Sequence, residues 1–309
     1  MILQDQLQPG HLQGRFEMYG ILSYDDVEIV GHCAYSNYRI ALYNYFGKDN
    51  FKDVKSHFDK TYNHQTNLND ITHLFIIDEH QVHNNAAWRR PGFQETVNSR
   101  NIKVIIFNFE KIYNSSFSWN LDNQKAVELF TNYHQFVADI EDADILGKKI
   151  LTKTYLSRDT VLNFFPCADK LDRILFIGQL AGDQYAGRRK IVDMFKDMNI
   201  DIVQTDRKLT YEQFLSKVNH YRYMLSPMGT GKFLSLRYYE TIHMDTIPIQ
   251  QVTYELLKWY PEIEKQCIWF TADDSSEIIR KKIYNFKPAE IIKYYLEDYF
   301  KEIKLNTYM

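Results

Sequence analysis

At 309 residues the chain exceeds the usual size of one compact domain, and with 45% hydrophobic residues it favours two α/β units that each bury a core. A formal net charge of −3 and a pI near 6.4 exclude a global positive field that would gather polyanions or acidic membranes, so any basic site is local. Cys33, Cys167 and Cys267 are odd in number, far apart and without CxxC or Cys/His spacing, which fits free thiols in a reducing, cytoplasmic setting and argues against a disulfide scaffold.

Along the chain, short apolar runs alternate with helix-like segments, the pattern of parallel α/β sheets. The opening MILQDQLQPG lacks a basic stretch and starts with three apolar residues, so it reads as a first strand and not as a signal peptide. No apolar run approaches a membrane span. Further strands are predicted at Val27–Val30, Leu74–Ile77, Val104–Phe107 and Gln135–Ala138, with helices beginning near Gly14, Asn37, Pro91, Asp122 and Asp142. Tyr35, Tyr38, Tyr43 and Tyr45 stand in polar company, which suits stacking on sugars or bases and equally suits a plain compositional bias. After Phe164–Pro166 the pattern restarts with strands at Arg173–Gly178, Asp201–Gln204, Tyr223–Ser226 and Thr246–Gln250, and helices at Arg188–Met198, Tyr211–Val218 and Leu234–Ile242. The division expected is 1–165 for an N-terminal acceptor domain, 166–285 for a nucleotide-sugar domain and 286–309 for a C-terminal helix packing back on the first domain. Ser275–Ile303 as a whole has a helical period.

The sharpest signal is SPMGTGKFLSLRYYETIHMDTIPIQ, Ser226–Gln250: a strand, a turn with Gly229 and Gly231, then a helix with Arg237 and Glu240. Glycines let backbone N–H groups approach an anion at a helix N-terminus, where the dipole also favours negative charge, so the turn reads as a diphosphate site. Arg237 and Glu240, at i,i+3, share a helix face; a carboxylate there can accept the hydroxyls of a ribose while the guanidinium balances phosphate charge. A second signal is ILFIGQLAGDQYAGRRK, Ile174–Lys190, in which Gly178 ends a strand and Arg188, Arg189 and Lys190 open a helix. Cations at a helix N-terminus oppose its dipole, and a bound diphosphate would relieve that; pairing with Asp183 or Asp193 would too.

Together these segments resemble the donor domain of exostosin-like glycosyltransferases: Phe176, Gly178, Gly187 with Arg188 or Arg189, then Ser226, Pro227, Gly229, Ser235, Arg237, Glu240, Ile247 and Pro248. The same region is similar to phage DNA β-glucosyltransferases through Leu236, Arg237, Glu240, Thr241 and Asp245. Thr241 stands where exostosin-like members usually have Ala, and Asp245 where they usually have Gly. The resemblance spans about residues 173–250 and implies the α/β GT-B architecture, two facing Rossmann-like domains with a C-terminal helix crossing back. It also implies inverting, metal-independent sugar transfer from a nucleotide-diphosphate sugar, UDP- or GDP-linked, with no further cofactor.

Inverting transfer needs a base for the acceptor hydroxyl, and such groups sit beyond the carboxyl ends of strands. Glu110, after Val104–Phe107, is placed ahead of Asp78, after Leu74–Ile77, because the flanks of its strand are more apolar, and Glu17 is the third candidate. The loop Gly10–Gly14, with His11 and Arg15, is expected to face the sugar or diphosphate. Asp142–Asp144, DAD, reads as a helix start whose acids match the dipole, ahead of a metal-binding DxD. His57, His64, His73, His80 and His83 form no metal-hydrolase spacing. The acceptor expected is a hydroxyl of a glycan, lipid-linked sugar or protein. Two alternatives stand beside it: transfer to modified bases of duplex DNA, which would need a local patch such as Lys52, Lys55, Arg89, Arg90 and Arg100, and a non-catalytic sugar-nucleotide or glycan-binding protein.

Overall fold

The computed structural model describes residues 17–22, 33–52, 68–77, 92–109, 111–114, 119–150, 156–162, 164–204, 209–229, 231–287, 289 and 292–309. The first lobe holds a parallel sheet of β1 (Tyr19–Leu22), β2 (Phe51–Lys52), β3 (His73–Ile77), β4 (Lys103–Asn108), β5 (Tyr133–Val137) and β6 (Lys149–Ile150), in the spatial order β2-β1-β3-β4-β5-β6. Its described helices are α1 (Cys33–Phe46), α2 (Phe93–Ser99), α3 (Trp119–Val127) and α4 (Ile140–Leu146). The central strands HLFII and KVIIFN carry continuous apolar runs, Leu74–Ile77 and Val104–Phe107, because both faces are covered there. Leu74, Ile76, Val104 and Ile106 pack with Phe93, Val97, Val127 and Phe130 of the α2/α3 side, whereas Phe75, Ile77, Ile105 and Phe107 join the α1 side.

After the short helix α5 (Arg158–Val161), the second lobe repeats the plan. Its parallel sheet contains β7 (Leu171–Gly178), β8 (Ile200–Gln204), β9 (Tyr221–Ser226), β10 (Ile247–Gln251) and β11 (Ile268–Phe270), ordered β11-β10-β9-β7-β8. The described helices are α6 (Ala186–Asp193), α7 (Tyr211–Asn219), α8 (Leu236–His243), α9 (Tyr254–Trp259), α10 (Ile263–Gln266) and α11 (Ser276–Asn285). Thr210 and Gln213 form a capping box that fixes the start of α7. Between α8 and β10 the chain reverses at Asp245 with φ 51°, a left-handed conformation that short polar residues tolerate, so Asp serves where the resembled family uses Gly.

In each sheet the second strand in sequence lies outside the first and the third on its other side, the doubly wound order whose switch point falls between β1 and β3 in one lobe and between β7 and β9 in the other. The chain ends in α12 (Leu296–Glu302), which returns to the first lobe: Phe300 packs with its ring centroid 5.8 Å from those of Tyr38, Tyr45 and Phe107. Glu297 is buried there, accepting from the Ser157 hydroxyl and, at 3.3 Å, from the Asn44 amide. This is the α/β architecture, two Rossmann-like lobes with a C-terminal helix crossing back, that the resemblance implied.

Several expectations change in detail. Met1–Leu3, Val27–Val30, Gly14 and Tyr35's side chain lie outside the described residues. Residues 19–22 form a strand where a helix begun near Gly14 was expected, since a four-residue interior strand containing Gly20 has too few positions to show alternation. The helical run Ser275–Ile303 breaks at Phe286, whose ψ is 125°, so the helix stops ahead of Lys287, the residue before Pro288 for which helical backbone is disfavoured. Tyr38 is fully buried and Tyr43 and Tyr45 pack on the same core, so these tyrosines are structural, not a stacking surface. Cys167 and Cys267 are free thiols, as expected. Among the described residues no helix is long and apolar enough to cross a membrane.

Near the end of α8, His243 is buried, its Nδ1 2.8 Å from the Tyr239 carbonyl and its ring 5.1 Å from that of Tyr295. Burial lowers its pKa from 6.5 to about 4, with Lys293 and Asp245 as the charged neighbours. Between those two values the unfolded chain binds a proton that the folded chain refuses, so stability is full above pH 6.5 and falls toward pH 4. From this group alone, urea denaturation at pH 5 should give a stability about 2 kcal/mol below that at pH 7.5. His243→Phe should flatten that part of the pH profile; an unchanged profile would show the imidazole is not its source.

Candidate functional site

The carboxyl ends of β7 and β9 flank the second lobe's switch point, and each runs into one of the two segments singled out above. Gly178 closes β7, and a Cβ there would meet the Phe176 ring at 3.0 Å. At the end of β9, Ser226 is buried with its hydroxyl 3.0 Å from that of Ser235, the N-cap of α8, which closes the base of the turn between them. Within that turn the Met228 amide donates to Gln251 Oε1 at 3.0 Å. An added Cβ on Gly231 would meet the Phe233 ring at 2.1 Å and Asp139 Oδ2 at 3.0 Å, so packing imposes glycine. At Gly187 and Gly229 it would meet nothing within 4 Å, and packing gives no reason for glycine there.

Two guanidinium groups reach the switch point from helices on opposite faces of the sheet. Arg237, at the start of α8, sits over the ring of Phe214 of α7, 4.0 Å from its centroid, and donates to Glu240 Oε2 at 2.7 Å. Its side chain keeps 24% of its surface, whereas Glu240 keeps none. Arg188, in the first turn of α6, stacks on Tyr185 at 4.9 Å and donates to the Gln179 carbonyl at 3.2 Å. Burial lowers the Arg188 pKa; Tyr185 opposes this and the like charge of Arg237 adds to it, so the two cations lie within electrostatic reach of one another. Two charges of one sign, held together at half-buried positions by stacking and ion pairing, make a site where an anion relieves repulsion.

The arginines at the α6 start have partners that spacing does not reveal. Arg189 donates to the carbonyls of Leu180 and, at 2.6 Å, of Gly182, so it shapes the loop after β7, while Arg188 is held by the Gln179 carbonyl and the Tyr185 ring. Glu240, expected to meet a ribose, is instead buried against Arg237; a ribose reaches it only if that ion pair opens. The residues missed were Phe214 and Asp139, both distant in sequence from the turn they support.

In the first lobe, Gly10, His11, Gly14, Arg15, Asp78 and Glu110 lie outside the described residues. Glu17 precedes β1 and accepts from the Tyr19 hydroxyl at 2.6 Å, at the amino-terminal edge of the sheet, which places it away from the strand ends where a base is needed. Of the DAD segment, Asp142 is buried within α4 and accepts from the Ile112 and Tyr113 amides at 2.5 and 3.0 Å, so both its oxygens secure the loop after β4. Lys111 is buried beside it, 2.6 Å from Glu141 and 3.7 Å from Asp139; burial pulls its pKa down, and the surrounding carboxylates more than reverse this.

The fold and this site define a two-lobed, doubly wound α/β protein with two half-buried arginines at the helix starts beside the switch point of its second sheet. No protein-family model matches the chain, and no curated protein is significantly similar to it. Among solved structures it is similar to an alpha1,3-fucosyltransferase at 10% identity and a TM-score of 0.46, over 94% of this chain and 90% of that one. It is similar to an alpha1,3-fucosyltransferase with GDP-fucose at 11% identity and a TM-score of 0.45, with the same coverage. A cofactor (NAD+) bound 3-phosphoglycerate dehydrogenase of Entamoeba histolytica follows at 13% identity and a TM-score of 0.24, over 89% of this chain and 87% of that one.

Proposed function

We propose that the protein is a glycosyltransferase that takes a sugar from a nucleotide-diphosphate sugar and passes it to a hydroxyl acceptor with inversion. The observation that carries the reading is that β7 and β9, which flank the switch point, each run through a glycine-containing loop into a helix whose first turn carries a half-buried arginine, Arg188 in α6 and Arg237 in α8. The diphosphate lies between the two guanidinium groups, which neutralise the charge that develops on it as it leaves, so donor binding and departure proceed without a divalent ion. Glu240 holds Arg237 in place. The acceptor is a hydroxyl of a glycan, lipid-linked sugar or protein bound at the carboxyl ends of the first sheet, and the setting is cytoplasmic. The base is Asp78 or Glu110.

Thermal denaturation against UDP-, GDP-, ADP- and CDP-sugars tests this. A donor present at a hundred times its dissociation constant adds about 2.7 kcal/mol to the native state; no stabilisation by any member of the panel would overturn the reading. Loss of turnover with EDTA, restored by Mn or Mg, would overturn its metal-free part. Gly229→Ala separates ligand from packing. Its added methyl meets nothing in the protein and its φ is not left-handed, so the melting temperature should hold while donor affinity falls roughly tenfold through obstruction of the backbone approach. Equal affinity would remove Gly229 from the site.

A further inference from the structure

Lys232 belongs to the glycine turn of the second lobe, yet its backbone groups are engaged by the first. Its amide donates to Asp139 Oδ2 at 2.5 Å, and its carbonyl accepts from the Ile140 amide at 3.4 Å. Asp139 is fully buried, caps α4 by accepting the Glu141 and Asp142 amides on its other oxygen at 3.0 and 3.2 Å, and has Lys111 at 3.7 Å. Gly231 lets this carboxylate come close, since a side chain there would run into it. The lobes also share a large apolar cluster that includes Phe107, Phe109, Leu234 and Tyr239. Apolar burial supplies adhesion without direction. A buried, charge-assisted hydrogen bond to a single backbone amide supplies direction.

We infer that Asp139 of the first lobe is a positioning residue for the anion-binding turn of the second. This rests on the diphosphate reading of that turn. Backbone N–H groups stabilise an anion only if they are already aimed at it, and the turn is fastened at its base by Ser226 and Ser235, on one limb by Gln251, and on the other by Asp139 on the Lys232 amide, with the Ile140 amide on the Lys232 carbonyl and Glu255 2.9 Å and Glu141 3.9 Å from the Lys232 ammonium. Donor affinity is therefore built by both lobes, although the arginines come from one.

The test is isothermal titration with inorganic pyrophosphate, and separately with GDP and UDP, on the full chain. Asp139→Asn keeps one oxygen to cap α4 and turns the other acceptor into a donor facing the Lys232 amide. It should bind pyrophosphate roughly tenfold more weakly, the worth of one such hydrogen bond. Asp142→Asn is the matched control: it carries a comparable folding penalty at the same helix start, does not touch the turn, and should bind within about twofold of the parent. Hydrogen exchange should show the Lys232 amide losing protection in Asp139→Asn only. If that variant does not fold, Asp139→Ser keeps a hydroxyl that can cap α4 but is too short to reach the Lys232 amide as well, and should show the same loss. Unchanged affinity in a folded Asp139→Asn or Asp139→Ser overturns the inference and leaves the diphosphate reading standing. A parent protein that binds neither pyrophosphate nor either nucleotide overturns the reading itself, and the inference with it.

Discussion

Arg237→Ala is expected to cost about 3 kcal/mol of stability, the lower end for breaking a buried pair, and to abolish most anion binding. Glu240 loses its guanidinium at a position with no solvent exposure, while Arg237 itself keeps 24% of its side-chain surface, which moderates the penalty. Phe214 loses the planar group that covers it at 4.0 Å. The double variant Arg237→Met, Glu240→Met removes both charges at similar volume and should recover much of the stability without recovering affinity, because an apolar replacement restores packing and not positive potential. Urea denaturation and pyrophosphate titration on the same samples read the two effects separately. Stability unchanged in Arg237→Ala would mean the pair is solvated; affinity unchanged would remove Arg237 from the site.

Glu240→Gln distinguishes two ways in which the carboxylate can serve. Acting through Arg237, it should weaken pyrophosphate and nucleoside diphosphate to the same degree, since the amide holds the guanidinium less firmly. Acting on a ribose, it should weaken the nucleotide by the worth of a charge-assisted hydrogen bond, about 1.5–3 kcal/mol, and leave pyrophosphate alone. The burial of Glu240 predicts the first pattern.

How far the sequence reaches is visible in this same pair. The i,i+3 spacing puts Arg237 and Glu240 on one helix face, and the strand–glycine–helix order puts that face at a strand end; both hold. Spacing cannot say whether the face is wet. That depends on α7, whose Phe214 is more than twenty residues away in sequence, and on the first lobe, whose Asp139 is farther still. Parallel sheets bring together segments distant in sequence, so supports of a site are the part least legible locally. The aromatic helix α1 fails for the same reason: its tyrosines look solvated until α12 returns from the end of the chain to cover them. By contrast β3, β4, β7, β9 and β10 were legible within a few residues, because strands buried on both faces are continuous apolar runs.

Strand order reverses the order that apolar flanks give to the two acids proposed as the base, Glu110 ahead of Asp78, and the amide variants test the new ranking. The switch point of the first sheet lies between β1 and β3, and Asp78 follows directly on Ile77, the last residue of β3. Glu110 follows β4, one strand farther from that crevice, with Phe109, Lys111 and Ile112 on either side of it buried and Ile112 tied to Asp142. Both acids lie outside the described residues, so the ranking rests on topology: ligands of doubly wound sheets sit in the crevice where the strand order reverses. Asp78→Asn is therefore expected to lower the transfer rate by roughly 10²-fold or more at unchanged donor affinity, the signature of a lost general base, and Glu110→Gln to lower it less. Initial rates at saturating donor, paired with donor titrations, measure both quantities. If Glu110→Gln loses the rate and Asp78→Asn keeps it, the acceptor crosses β4 and not the switch point. If both variants keep it, the proton leaves the acceptor by another group, and the first lobe's contribution is to bind the acceptor alone.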